Sequence, residues 1–255
     1  MIAENPSFFA ISPHPQKILS FLSKNRTKSE KMCYSGIRTR RLTERHLNKD
    51  LLEYLEKVNA QEEQILRHEK PVLSYFVKGE NSTVFDSGTV MAPMTMIDIL
   101  KQPRFVPLPD HSHNYLELIY MCSGSTTHII NTRSELTLKE DELLFLPQGT
   151  SHSVSAAGYH DISVSFAILP AFLQYPLSML REDTLLRRFI LQVSENDKTE
   201  CEFLHFHLQD MPEAKNLLEN MTRILLKRRR NSRQILQATM GCCFWTCQAG
   251  PTRSR

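Results

Sequence analysis

Residues 111–124 read HSHNYLELIYMCSG, and residues 147–152 read PQGTSH. In a β-strand alternate side chains share a face. His111, His113 and Glu117 have the same parity, so a single strand running through them turns all three the same way. Pro147 and Gly149 make a sharp turn between strands, and His152 opens the strand after it. Closing these strands on one another brings His152 opposite the other three.

The surroundings extend the pattern. Residues 96–100, 115–122, 126–131, 135–139, 142–146 and 161–169 are strand-like runs, most of them separated by polar or glycine-containing turns. Short strands at such close spacing predict a sandwich or barrel over residues 94–170. Helical spacing frames this β region. Leu51, Leu52, Leu55, Val58 and Ile65 predict a helix over 48–69, stopped by Pro71. Leu185, Leu186, Phe189, Ile190 and Val193 fit one face of another. A short strand is expected at 203–208. A strong amphipathic helix follows over 212–228, with Leu217, Leu218, Met221, Ile224 and Leu225 as its stripe. The expected class is α+β, mainly β with helices.

Charge and composition bound the function. Hydrophobic residues make up 41% and charged residues 23% of the 255, and the net charge is +3. That balance is ordinary for a globular protein and gives no general reason for nucleic-acid binding. Residues 1–46 are locally basic, with nine Lys/Arg against Glu4, Glu30 and Glu44. They read either as a basic arm or as a disordered extension, including one translated from upstream of the natural start. Lys227–Arg230 sit where positive charge suits a helix C-terminus. No apolar run approaches a transmembrane helix, and residues 1–10 lack a signal-peptide pattern, so the expected location is the cytoplasm. Cys33, Cys122, Cys201, Cys242, Cys243 and Cys247 form no CxxC pair and are expected as reduced thiols. No nucleophile elbow, P-loop or dinucleotide fingerprint is present.

The spacing His-x-His, three residues, Glu, six residues, Gly from His111 to Gly124 resembles the first motif of the cupin family. Pro147, Gly149 and His152 resemble its second. Asp141 departs from the glycine that usually opens that second motif. The resemblance implies a jelly-roll barrel, with His111, His113, Glu117 and His152 in the positions that hold a divalent transition metal in metal-binding cupins. Three readings of these four residues stand open: a metal site, a metal-free pocket that hydrogen-bonds a polar effector, and inherited barrel residues with no ligand. Arg104 is expected either to reach the pocket mouth as a ligand-binding residue or to make a surface salt bridge. His128 is expected in the core or the pocket. His205 and His207 are expected to face solvent.

Longer phrases narrow the resemblance. LELIYMCSG (116–124), TTHIIN (126–131), LKEDELLFLPQGTSH (138–152), DISVSFAILPAF (161–172), NLLENMTRIL (216–225) and QATMG (237–241) are similar to the sensor part of AraC-type transcription regulators. This implies an effector-binding cupin over 94–170, preceded by a helix and connecting segment at 47–93. A dimerising helical segment over 171–241 follows, with Leu217, Met221 and Ile224 facing a second copy. The implied partners are a sugar or other polar metabolite, a homodimer mate, and DNA only through helix-turn-helix units that residues 242–255 are too short to hold. Enzymatic turnover is not expected of such a sensor. A metal-dependent cupin isomerase or dioxygenase, and a stand-alone interfering subunit, are the alternatives.

The stretch GCCFWTC (241–247) stands where related regulators read Gly-Leu-Leu-Phe-Leu. Deleting one C from GGC-CTG-CTG-TTT-CTG-GAC-CTG gives Gly-Cys-Cys-Phe-Trp-Thr, and then Cys if the next base is T or C. A frameshift accounts for the tail at 242–255, and a natural short form is the alternative. Resequencing the gene through the codons for Met240–Cys247 separates them. A frameshift predicts two helix-turn-helix units in another frame downstream; their absence there defeats it.

Overall fold

The structure is a computed structural model and describes residues 49–68, 77–79, 82–181, 183–197, 199, 201–228, 232–248 and 252–254. The expectations for residues 1–46, Cys33 among them, lie outside the described residues.

The chain enters through two short helices, α1 (Lys49–Glu56) and α2 (Ala60–Leu66). The single helix expected over 48–69 is therefore split. Asn59 divides it: its side chain accepts the Glu62 N–H at 2.9 Å, and the Glu62 carboxylate accepts the Asn59 N–H at 2.9 Å. This capping box satisfies two orphan donors and starts a new helix at residue 60. Its Asn-x-x-Glu signature is legible in the sequence.

Next come β1 (Val77–Gly79), β2 (Ser82–Phe85), the one-turn helix α3 (Ser87–Val90), β3 (Ile97–Lys101), β4 (Leu108–His113), β5 (Leu116–Ser123) and β6 (Ser125–Ile130). They are followed by β7 (Ser134–Lys139), β8 (Glu142–Leu146), β9 (His152–Val154) and β10 (Ile162–Ile168). The remainder is α4 (Gln174–Ser178), α5 (Leu185–Ser194), β11 (Leu204–His207), α6 (Pro212–Leu226), α7 (Arg233–Cys247) and β12 (Thr252–Ser254). The strands form two six-stranded sheets, ordered β1-β2-β4-β9-β6-β7 and β12-β11-β8-β5-β10-β3. Every pairing is antiparallel except β2 with β4. The expected α+β class is what the chain adopts. The two sheets face each other without closing into one hydrogen-bonded barrel among the described residues.

Burial explains the strand compositions. β5, β8 and β10 are buried along essentially their whole length, whereas β6 and β7 alternate between buried and more accessible positions. The first three form the middle of a sheet covered on both faces, so both parities must be apolar or paired. On the outer face, Leu118, Tyr120, Phe145, Val164 and Phe166 join the helices in one core. On the inner face, Ile119, Met121, Leu144 and Leu146 meet Ile130 and Leu138 of the facing sheet. Gly124 turns β5 into β6 with φ of +72°, and a Cβ there would collide with the backbone of Asp161. Only glycine suits that position.

The helices cover the outer face. Phe145 of β8 meets Phe189 of α5, Phe206 of β11 and Phe244 of α7, with ring centroids 6.4, 5.1 and 5.7 Å away. This use of the apolar stripe corrects one expectation. Met221 does not face a second copy; it is fully buried in this chain's own core, with Leu217 and Ile224 half-buried against the same core. A second difference concerns the boundary at residue 241. Helix α7 runs across it to Cys247, and Cys243, Phe244 and Cys247 are fully buried in the main core. Cys122, Cys201, Cys242, Cys243 and Cys247 are all free thiols. No helix among the described residues is long and apolar enough to cross a membrane.

Of the two roles expected for Arg104, the structure shows a salt bridge, buried rather than at the surface. The residue is 1% exposed, and all its contacts are internal. Its Nε and one terminal nitrogen hold the two carboxylate oxygens of Glu62 at 2.8 and 3.0 Å. The guanidinium further donates to the carbonyls of Tyr159 and Glu56 at 2.7 and 2.9 Å. Lys101 Nζ adds a 3.0 Å contact to Glu62. The network ties α1 and α2 to the loop after β3 and commits four guanidinium N–H donors of Arg104 to protein acceptors. Burial opposes the charge on Glu62, but hydrogen bonds from Arg104, the Asn59 N–H and Lys101 outweigh it and hold its pKa at about 2, below the ordinary 4.5. The folded pKa is depressed, so this stabilisation is complete above pH 4.5 and is lost as pH falls through about 2. Its size is about 3 kcal/mol. Glu62→Gln is expected to cost about 3 kcal/mol at pH 7 by stranding a buried guanidinium. In urea unfolding from pH 7 to 2, the gap between parent and variant should close at the acid end.

Candidate functional site

The four expected residues come from three strands. The single-strand reading of His111, His113 and Glu117 is not met: β4 ends at His113, the chain bends at Asn114–Tyr115, and β5 begins at Leu116 in the other sheet. The histidines and the carboxylate therefore stand on opposite walls of the same interior. His152 lies on β9 beside β4, with His111 and His152 directly paired across the strands. Glu117 faces them from β5.

Three of the four converge. Donor atoms of His113, Glu117 and His152 all lie within 4.8 Å of one another. His113 Nε2 is 3.4 Å, and His152 Nε2 3.5 Å, from Glu117 Oε2. Both distances exceed a good hydrogen bond. His111 stands beside the group rather than in it. Its ring stacks on Phe85 at 4.3 Å and tilts against His152 at 4.2 Å, and its Nδ1–H donates to the Pro109 carbonyl at 2.8 Å.

The hydrogen-bond inventory defines what the group lacks. His113 Nδ1–H donates to the Tyr115 carbonyl at 2.7 Å, which fixes the ring and directs Nε2 at Glu117. His113 Nε2, Glu117 Oε2, His152 Nδ1 and the Tyr115 hydroxyl are buried without a hydrogen-bond partner. An imidazole nitrogen aimed at a carboxylate must either carry a second proton or share a cation with it. Burial disfavours the charge on Glu117, but the His113 contact and the electrostatic pull of the surrounding imidazoles hold its carboxyl well below the usual range. Burial pushes His152 and His111 toward neutral imidazoles, with Glu117 pulling the other way. A carboxylate facing two imidazoles is a donor set that suits a divalent transition metal.

The cavity beside these groups is mainly apolar. Phe85, Val90, Leu100, Leu108, Ile119 and Val154 line it with His111, Tyr115, Glu117 and His152. About 40 Å³ of it is open to water centres, room for about three waters. Tyr115 and Phe85 went unread as site residues. Tyr115 lies within the motif and Phe85 26 residues before it, but an aromatic ring in a β region reads as core until its neighbours are known.

His128 lies beyond His152. It is fully buried on β6, its ring 6.1 Å from that of His152, and Nε2 lies 3.0 Å from the Thr126 hydroxyl. Burial lowers its pKa from 6.5 to about 4, against the pull of Glu117. The folded imidazole stays neutral where the unfolded one charges. This stabilisation is complete above pH 6.5 and is lost as pH falls to about 4, a change of about 3 kcal/mol. His128→Leu is expected to flatten the pH dependence of urea unfolding between pH 7 and 4; parallel curves would remove His128 as its source.

No family model and no curated protein matches the chain. ToxT from Vibrio cholerae O395, bound to (E)-4-(8-methylnaphthalen-1-yl)but-3-enoic acid, is similar over 60% of this chain and 56% of its own, at 13% identity and a TM-score of 0.42. ToxT from Vibrio cholerae strain SCE256 with an unsaturated fatty acid bound is similar over 58% and 51%, at 12% identity and a TM-score of 0.39. The chain thus spans about half the length of these two ToxT chains. The DMSP lyase DddQ from Ruegeria pomeroyi DSS-3 is similar over 28% and 36%, at 16% identity and a TM-score of 0.25. Likeness this slight carries neither a ligand nor an activity to the present chain.

Proposed function

We propose that this chain is the effector-sensing part of an AraC-type transcription regulator, and that its ligand occupies the cavity between the two sheets. The observation that carries this is that Glu117 Oε2, His152 Nδ1 and the Tyr115 hydroxyl, all buried without a hydrogen-bond partner, belong to residues that line a mainly apolar cavity, with His113 Nε2 3.4 Å from Glu117 Oε2. Each such atom costs about 1–3 kcal/mol while unsatisfied, and a small polar ligand recovers part of that. The residue phrases behind the resemblance support the reading. They fall on β5, β6, β7 to β9, β10, α6 and α7 in turn, so they follow the whole fold rather than one motif.

Space for about three waters does not admit a sugar. A ligand of that size requires the segment carrying Phe85 and Val90, on β2 and α3, to move outward. Binding then selects between two conformations, which is what an effector must do. Helix α6 remains the candidate for joining two copies, with Leu217, Ile224 and Leu226 as apolar side chains left partly exposed on it.

A second reading, a metal-dependent cupin enzyme, is favoured by the three donors within 4.8 Å. The set fits a divalent cation, which His113, His152 and Glu117 would hold, with His111 next to them. When bound, such an ion supplies Lewis acidity to an oxygen in the cavity. The ring of His113 is already oriented for it by the Tyr115 carbonyl.

Thermal unfolding of the chelator-treated chain, with a panel of sugars and polar metabolites and separately with nickel or zinc, tests the assignment. At about a hundred times its Kd, a true ligand is expected to raise Tm by about 5 °C or more, and His113→Ala should abolish the shift. A metabolite-dependent shift supports the sensor. A shift from metal alone, followed by turnover, replaces it with the enzyme. No His113-dependent shift with anything in the panel defeats the sensor.

A further inference from the structure

The second sheet's inner face carries another group of donors, at the end of β8 away from the cavity. Glu142, Leu144 and Leu146 share that face by strand alternation, since Leu144 and Leu146 meet the opposite sheet. Glu117 is paired with Leu146, whereas His207 is paired with Glu142 and His205 with Leu144. Four residues of strand, about 13 Å, separate the two ends, with apolar side chains between them. The expectation that His205 and His207 face solvent is corrected here. His205 is buried at 2% exposure, and both rings turn toward Glu142.

The geometry is compact. His205 Nε2 lies 3.0 Å from Glu142 Oε2, and His207 Nδ1 lies 2.8 Å from Oε1. The Lys139 N–H donates to Oε2 at 2.9 Å and fixes the carboxylate. The two rings are 4.6 Å apart, and one donor atom from each of the three residues lies within 4.8 Å of the others. Ligands held tetrahedrally by zinc at about 2.1 Å sit about 3.4 Å from one another, so small rotations bring this set to coordination distance. The His207 side chain is 34% exposed, which opens the group to solvent and leaves coordination positions for water.

We propose that Glu142, His205 and His207 form a divalent transition-metal site, distinct from the cavity, that clamps β11 to β8. Two imidazoles and a carboxylate with open positions favour zinc, iron(II) or nickel over magnesium or calcium. The clamp would act on the lead into the helical segment. Just past β11, the Leu208 N–H donates to the Asp141 carbonyl at 2.7 Å, and Lys215 of α6 pairs with the Asp141 carboxylate at 2.8 Å. A metal here would hold α6 against the start of β8 whatever the cavity contains.

The test counts zinc bound by the chelator-treated full chain, after titration with zinc alone and gel filtration. His207 is partly exposed, so His207→Ala should keep the fold, as circular dichroism will show. The expected result is one fewer zinc per chain in His207→Ala than in the parent, with Glu142→Gln weakening zinc binding by about tenfold or more. An unchanged count in His207→Ala overturns the site. His113→Ala reports on the cavity separately: it should leave the His207-dependent zinc in place, and loss of that same zinc in His113→Ala would also overturn the assignment.

Discussion

Burial of the second sheet on both faces is the constraint on which the rest depends. β5, β8 and β10 expose almost nothing, so each must satisfy two different neighbours at once. The outer parity is filled by Leu118, Phe145 and Phe166 against the helices. The inner parity is filled by Ile119, Leu144 and Leu146 against the other sheet. A helix stripe that would otherwise sit at a surface is drawn into this arrangement. Met221 illustrates it, because its side chain is spent on the core that covers the sheet's outer face.

Against that dry background the two inner carboxylates are exceptional. Glu117 and Glu142 sit on adjacent strands, each facing a pair of histidines. A charge so placed is costly unless paired and hydrogen-bonded. Glu142 meets that condition within the chain, with both oxygens taken by imidazoles and one also by the Lys139 N–H. Glu117 does not, since one of its oxygens has no hydrogen-bond partner. The contrast is that the Glu142 oxygens are partnered within the chain whereas Glu117 Oε2 is not. Another buried carboxylate, Glu62, is matched to Arg104 and Lys101 and fastens the first two helices.

Much of this was legible in the chain before its fold. The short strands after residue 94, the helices at 185 and 212 and the His152 strand all follow from period and turn chemistry. The break at Asn59 carried a capping signature that a continuous apolar pattern obscured. Helix α7 was harder to read, because its cysteines, phenylalanine and tryptophan have no clean 3.6-residue stripe. Its burial is decided by Phe145 and the neighbouring helices, not by its own amphipathicity. Arg104 was misplaced for a related reason: a lone arginine gives no sign of whether its partner is a ligand or a glutamate 42 residues earlier.

The sequence by itself determined the α+β class, most of the strands after residue 94, and the His and Glu residue types at its centre, because alternation and turn chemistry are local; β1, β2 and the separate β4 were not legible in it. It could not determine which wall each donor stands on. Parity put His113 and Glu117 on one face of one strand, and the bend at Asn114–Tyr115 carried them onto facing sheets instead. Only tertiary structure brought Glu142 to His205 and His207, the first of them across 63 residues of chain, and only it withdrew Met221 into the core. Those outcomes depend on which sheet covers which face, a matter of long-range packing that no local pattern encodes.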